Sequence, residues 1–443
     1  MLVTALQKMR ILPPNLQHFL IAPAPKAEQR NRLFFAGRGR ILSLNKFQGM
    51  GEHMQVIAKG RARCRRAWLV AAWLASLAGG AARAEGPAPS TSVPAFEVPE
   101  WVGQQIGEAR GRFESWRGAD QTVVFPLGTD IHAARPLFAL PPDFRDTKFH
   151  VLFAQRAALA FQADFFAELG DIGFDRDLKW KPSKREDALL RLESQRNLYK
   201  DFTLPVLFCM GNHDCGRSYG DVFSEVRLST REYGGMFNGM IKKRGAALVT
   251  GPNEDYGYYD VPGKKCRVFF LNTSDAGEVG FSPEQMRFLA DGLTVPPDTC
   301  AVVLAHKCIH PTIGKWKGGR PGTIKNGNLC MTMLADFVKG SAGEEGGVRW
   351  DFTGNRGATL AGFLFGDSHF NDQAATNGVN FVITQGYGTV SAKDLPDGVG
   401  YVTPVDRTRT MLVDMVAIKP AKREMKLFRI GAGGPSSDRA FNF

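Results

Sequence analysis

The seven cysteines include no C-x-x-C pair, which argues against a structural zinc knuckle. The chain has no internal repeat, and the small-apolar stretch at residues 67–80 is too short to cross a bilayer as a stable helix. Charge of one sign is missing from most of the length. The net +12 arises in residues 1–84, with 14 Lys/Arg against 2 Asp/Glu, while the other 359 residues carry 42 of each sign. A neutral body lacks the clustered Lys/Arg on which phosphate-backbone binding relies, so no nucleic-acid partner is expected. Histidine is scarce: eight in 443 residues, six of them beyond residue 84.

What is present at the basic end has the order of an export signal. From Met54 the sequence runs through Lys59, Arg61, Arg63, Arg65 and Arg66, then the apolar stretch, then Ala82-Arg83-Ala84. These are a positive n-region, an h-region and an A-x-A cleavage site at suitable lengths. Residues 54–84 are therefore expected to be a signal peptide. Residues 1–53 are expected to be a disordered extension from an upstream mis-assigned start, and the mature chain is expected to begin at Glu85 in the periplasm or outside the cell. The Arg65-Arg66 pair suits a twin-arginine or a Sec route equally. No stable membrane span is expected after cleavage. Six cysteines remain beyond the signal, which in an oxidising compartment permits up to three disulfides.

Residues 85–119, rich in Pro, Ser and Gly and then polar, are expected to be a linker and lead-in. A domain over 120–432 follows, with 433–443 as a tail. Short apolar runs at 121–128, 164–169, 204–210, 266–271, 300–305, 360–365 and 380–384 predict strands, each followed by Gly, Asn, Asp or His. Helices are predicted at 150–161, 184–200, 283–293 with Ser282 as N-cap, and 329–339, and a closing hairpin at 411–418 and 424–430. Strands alternating with helices and ending in polar residues predict an α/β core with its site at the strand ends.

The residues after those strands carry the chemistry. Asp130-Ile131-His132 follows the first strand, Gly170-Asp171 the second and Gly211-Asn212-His213-Asp214 the third; His306 and Gly366-Asp367-Ser368-His369 follow two later ones. Five successive strands are thus expected to deliver a potential ligand each to one edge of a sheet. Turn chemistry accounts for Asp, Asn and Gly after one or two strands. It does not account for four of the six histidines beyond residue 84 occupying such places. Carboxylates and imidazoles suit a pair of divalent transition metals, Mn, Fe or Zn, which polarise a phosphoryl oxygen and generate a hydroxide nucleophile. A separate imidazole can protonate the leaving alkoxide.

The order Asp-x-His, Gly-Asp, Gly-Asn-His-Asp, His, Gly-x-x-His resembles the calcineurin-like metallophosphoesterase family over about residues 120–390. The resemblance implies a four-layer αββα sandwich, two mixed β-sheets flanked by helices, and two divalent metal ions. It places Asp130, His132 and His369 on the first metal, Asp171 as the bridge, and Asn212 and His306 on the second. His213 would face the leaving group as general acid with Asp214 orienting it. The function implied is hydrolysis of phosphomonoesters or phosphodiesters by a metal-bound hydroxide, on a phosphorylated small-molecule or macromolecular substrate. The rival reading is a catalytically weak member that binds a phosphorylated ligand or partner; a secreted nuclease is disfavoured by the neutral body.

Two residues depart from the family pattern. Asp367 stands where the family's last motif has a histidine, either as an oxygen ligand favouring Mn, Fe or Mg, or leaving the second site weak. Phe174 stands where purple acid phosphatases have tyrosine, which argues against an iron–tyrosinate enzyme. His310 is an alternative to His306 as ligand. Lys307 has the choice of substrate phosphate or solvent, Arg217 and Tyr219 of pocket or loop packing, and His150 of capping or packing.

Overall fold

The computed structural model of the chain describes residues 100–132, 147–173, 183–216, 228–274, 279–314, 324–386 and 412–443. All of them fall in one compact unit, 95–443. The expected extension and signal peptide lie outside the described residues, as do Phe174, Arg217 and Tyr219.

Fifteen strands run through these segments. They begin with β1 (Val123–Gly128), β2 (Phe166–Glu168), β3 (Val206–Phe208), β4 (Leu248–Thr250) and β5 (Gly257–Asp260). They continue with β6 (Cys266–Phe270), β7 (Cys300–Ala305), β8 (Ala342–Glu345), β9 (Val348–Asp351) and β10 (Thr359–Phe365). The last are β11 (Asp372–Thr376), β12 (Val379–Ile383), β13 (Leu412–Lys419), β14 (Glu424–Gly431) and β15 (Arg439–Asn442). One sheet has the order β15-β14-β13-β1-β2-β3 and the other β11-β12-β10-β7-β6-β5-β4, with β8-β9 a separate hairpin. Both are mixed: β1-β2-β3 and β6-β7-β10-β12 are parallel, and the flanking strands antiparallel.

Burial along β6 and β7 shows how the sheets stack. Val268, Phe270, Val302 and Leu304 join the core that contains Phe125, Phe166 and Val416 of the first sheet. The alternate residues Phe269, Leu271, Ala301, Val303 and Ala305 join a second core. That second core is covered by α6 (Pro283–Gly292) and α7 (Gly327–Lys339), through Met286, Leu289, Met333, Leu334 and Phe337. Successive side chains of a strand point to opposite faces, so a strand apolar at every position is buried on both. The first sheet is covered by α1 (Glu100–Arg117), where Phe113 meets Phe428 of β14 edge-on at 5.7 Å, and by α2 (Thr147–Ala160). The remaining helices are α3 (Arg185–Tyr199), α4 (Thr230–Met236) and α5 (Asn238–Lys243). The fold is an α/β sandwich of two mixed sheets flanked by helices. Ser282 caps α6 as expected, its hydroxyl accepting from the Gln285 N–H.

A buried ionic network ties the two sheets together. Asp414 of β13 is fully buried and accepts from Arg429 Nε at 2.6 Å and Nη2 at 3.1 Å. It also accepts from Thr384 Oγ1 at 2.6 Å, just beyond β12 in the other sheet. Arg439 of β15 donates to Asp414 Oδ2 at 3.1 Å and to the Ile383 carbonyl at 2.7 Å.

Three expectations need correction. The lead-in contains α1, whose Val102, Ile106, Ala109 and Phe113 are buried on one stripe. The tail contains β15, hydrogen-bonded to β14. The six cysteines after residue 84, which permitted up to three disulfides, form none, and Cys209, Cys215, Cys266, Cys300 and Cys330 are buried.

Candidate metal centre

The predicted ligands converge, but not along one sheet edge. β1, β2 and β3 of the first sheet and β7 and β10 of the second all end at the same place, so the centre sits where the C-terminal ends of two stacked parallel sets meet. The loops there are laced by backbone hydrogen bonds: Asp130 N–H to the Gly170 carbonyl, and His132 N–H to the Asp171 carbonyl, each at 2.9 Å. Asp130, His132, Asp171, Asp367 and His369 all have left-handed backbones, with φ of 57°, 48°, 54°, 62° and 58°. For residues carrying a Cβ that conformation is unfavourable, and such strain collects at functional sites. The motif glycines allow the crowding. A Cβ on Gly211 would lie 2.1 Å from Asp171 N and Oδ1, and one on Gly366 would lie 1.9 Å from Thr129 Oγ1.

The first cluster fits a cation. Asp130 is fully buried; its Oδ2 accepts from Thr129 Oγ1 at 2.8 Å and from the Asp367 N–H at 3.1 Å. Its Oδ1 accepts no hydrogen bond among the described residues. Instead it faces Nε2 of His369 at 3.3 Å and of His132 at 3.7 Å, and those two nitrogens are 3.1 Å apart. An orphaned buried carboxylate oxygen against two converging imidazole nitrogens is a donor set that a divalent cation satisfies. Thr129, which frees Oδ1 by holding Oδ2, was not foreseen; the one signal for it is its position directly before Asp130.

Asp171 belongs to two of the overlapping groups of potential ligands, one with His132 and His213 and one with Asp130 and His306. Its Oδ1 is fixed by the His213 N–H at 2.8 Å. Its Oδ2 faces His306 Nε2 at 3.3 Å and the Nε2 atoms of His132 and His213, each at 3.9 Å. Burial alone would raise the Asp171 carboxyl, yet the facing histidines His306, His213 and His132 hold it well below the usual carboxylate range. Burial likewise disfavours a charged His306, but Asp171 and Asp367 outweigh that and lift its pKa well above the usual imidazole value. The pocket is built to hold positive charge.

The second cluster is formed around His306. Its Nδ1 donates to the Leu169 carbonyl at 2.8 Å, which fixes the ring. Its Nε2 lies 3.1 Å from Asn212 Oδ1 and 3.4 Å from Asp367 Oδ1. The Asp367 oxygen is already engaged: Lys307 Nζ donates to it at 2.8 Å. Lys307 is therefore neither a solvated lysine nor disposed toward open solvent. Burial would raise the Asp367 pKa, and the Lys307 ammonium with His306 holds it far below normal instead.

Asp214 is engaged by the backbone of the loops around it. Its carboxylate accepts from three backbone N–H groups, Asp171 at 2.9 Å, Gly173 at 2.7 Å and Gly211 at 2.9 Å. It therefore pins the second and third loops together. Burial pushes its pKa up to about 7, with the Asp171 charge adding, while the Gly173 and Gly211 amides pull it down. His213 packs its ring edge-on against His132, with centroids 4.7 Å apart. His310 is remote from the cluster: Thr376 Oγ1 is 2.8 Å from its Nε2 and its ring lies against Phe381. His306 is fully buried in the cluster, within ligand distance of Asp130 and Asp171. His150 is buried within α2.

The chain matches no family model and no curated protein. Among solved structures it is similar to a dimetal phosphatase from Danio rerio, with 12% identity and a TM-score of 0.46 over 72% of this chain and 99% of that one. It is also similar to GAP50, the anchor in the inner membrane complex of Plasmodium, with 10% identity and a TM-score of 0.40 over 73% and 89%. A third is a purple acid phosphatase from yellow lupin seeds, with 12% identity and a TM-score of 0.41 over 73% of this chain and 53% of that one. Two stacked mixed sheets thus bring Asp130, His132, Asp171, His213, His306 and His369 into one cluster of potential metal ligands, with Asn212 beside His306.

Proposed function

We propose that the chain is an exported, metal-dependent phosphoesterase that hydrolyses phosphomonoesters or phosphodiesters, with His213 as proton donor. The observation that carries this is the convergence of Asp130, His132, Asp171, His213, His306 and His369, in three overlapping groups of potential ligands, at the shared edge of the two sheets. A divalent cation held there would polarise a phosphoryl oxygen and acidify a water. Asp171, clamped through Oδ1 by the His213 N–H, keeps Oδ2 turned to the cluster. The same clamp fixes the His213 backbone, so its imidazole, nearly buried beside the cluster, can meet a departing oxygen.

Purified chain supplied with Mn should carry metal by mass spectrometry and turn over p-nitrophenyl phosphate or its bis-ester. Chelation should abolish turnover, and added Mn restore it. A chain that holds metal yet hydrolyses neither ester would favour the reading of a member that binds a phosphorylated ligand.

Export rests on the order of basic residues, apolar stretch and Ala82-Arg83-Ala84. No described helix is long and apolar enough to cross a membrane. N-terminal sequencing of the exported protein should begin at Glu85; an exported form starting upstream of Met54 would overturn the assignment.

A further inference from the structure

We propose that Lys307 takes the place of the second metal ion, so that the centre holds one divalent cation per chain beside a fixed ammonium. The inference rests on the metallophosphoesterase reading and deepens it. The first position has Asp130, with an oxygen that accepts no hydrogen bond among the described residues and that faces the His132 and His369 nitrogens. At the second position the donors are Asn212 and His306, both neutral when they bind metal, together with Asp171 and Asp367. Asp171 is shared with the first position. The carboxylate that would belong to the second alone is Asp367, and its Oδ1 accepts from Lys307 Nζ at 2.8 Å.

The Lys307 backbone is held in place. It directly follows His306, whose ring is fixed by the Leu169 carbonyl, and its own N–H donates to Thr273 Oγ1 at 3.0 Å. The side chain is only 20% exposed and Asp367 26%. A half-buried ion pair of this kind resists loss of one partner, because the other is left charged without compensation. A second dication would have to displace the ammonium from Asp367 or sit beside it, and Coulomb repulsion at that range is strong in a poorly solvated site. The ammonium would also supply a fixed positive charge beside the centre, without leaving when metal is scarce. An aspartate in the last motif and a lysine after His306 are then one device and not two separate departures.

Metal stoichiometry separates the possibilities. Equilibrium dialysis against Mn, read by mass spectrometry, should give one ion per folded wild-type chain. Lys307→Arg, which keeps the charge, should also hold one. Lys307→Met, which removes the charge at similar length, should rise to two, with circular dichroism confirming the fold. Should Lys307→Met fail to fold, Lys307→Gln serves the same purpose. Two ions in the wild type, or one in a folded Lys307→Met and Lys307→Gln, would overturn the inference and leave the phosphoesterase reading intact. No ion in the wild type would sink both.

Discussion

His213→Ala is expected to keep its metal and to slow hydrolysis of an alkyl phosphoester by roughly 10²–10⁴, the usual range for lost general acid catalysis. With a nitrophenolate leaving group, which needs little protonation, the loss should be much smaller. The contrast between the two substrates marks a proton donor. His213 Nε2 also lies 3.9 Å from Asp171 Oδ2, within a group of donors that includes His132. If His213 were a ligand, the variant would lose metal and slow both substrates together. Metal content and the two rates, measured on one preparation, decide between these roles. Asp214→Asn should act differently from His213→Ala, because the Asp214 carboxylate is spent on three backbone amides and serves loop geometry.

Asp414→Asn is expected to cost about 3–5 kcal/mol of unfolding free energy by urea titration, the usual result of breaking a buried ion pair by removing one partner. Arg429 is 1% exposed and would keep its charge without its principal counter-ion. The pH dependence has a definite sign. Burial would raise the Asp414 pKa, but Arg429 and Arg439 hold it well below the usual carboxylate value. A carboxylate depressed in the folded state stabilises fully above its unfolded pKa of about 3.9 and loses that contribution as pH falls through the folded value. The gap between wild type and Asp414→Asn should therefore be constant from neutrality to about pH 5 and close only in stronger acid. A gap that closed between pH 7 and 5 would contradict the assignment. Metal content near neutrality should change little if the folded fraction stays high, since Asp414 lies outside the ligand clusters.

The sequence disclosed the parts of the fold that have a strong local pattern. β6, β7 and β10 are apolar at nearly every position because they are covered on both faces, and polar turn residues mark their ends. Four helices and the β13–β14 hairpin were visible for similar reasons. α1 was hidden because Gly103, Gly107 and Gly111 give it the composition of a linker, while its buried positions are few and include a single aromatic. β11 and β15 were hidden because they are edge strands with half-exposed, polar sequences. At the site, residue types and their order were enough to name the cluster, since a strand end is a local feature. What a side chain then does depends on partners distant in sequence. Asp214 sits next to His213 but bonds the amides of Asp171 and Gly173 some forty residues away, and Lys307 meets Asp367 sixty residues on. The splitting of the ligands between two sheets is likewise a matter of topology, which the spacing of apolar runs does not encode.

The position of β13 between β1 and β14 also governs when the molecule can assemble as it is made. β1, with the first pair of ligands behind it, emerges almost 300 residues before the strand that completes its other edge. Until residues 412–419 are synthesised, a fully apolar strand has an open hydrogen-bonding side, the arrangement most prone to pairing with another chain. The contacts that close it join segments almost 300 residues apart, which makes their formation slow. The nascent chain must therefore be shielded for nearly its whole length. A ribosome that stalls before the last hairpin would release a polypeptide that carries every candidate ligand but leaves β1 open on the side where β13 belongs.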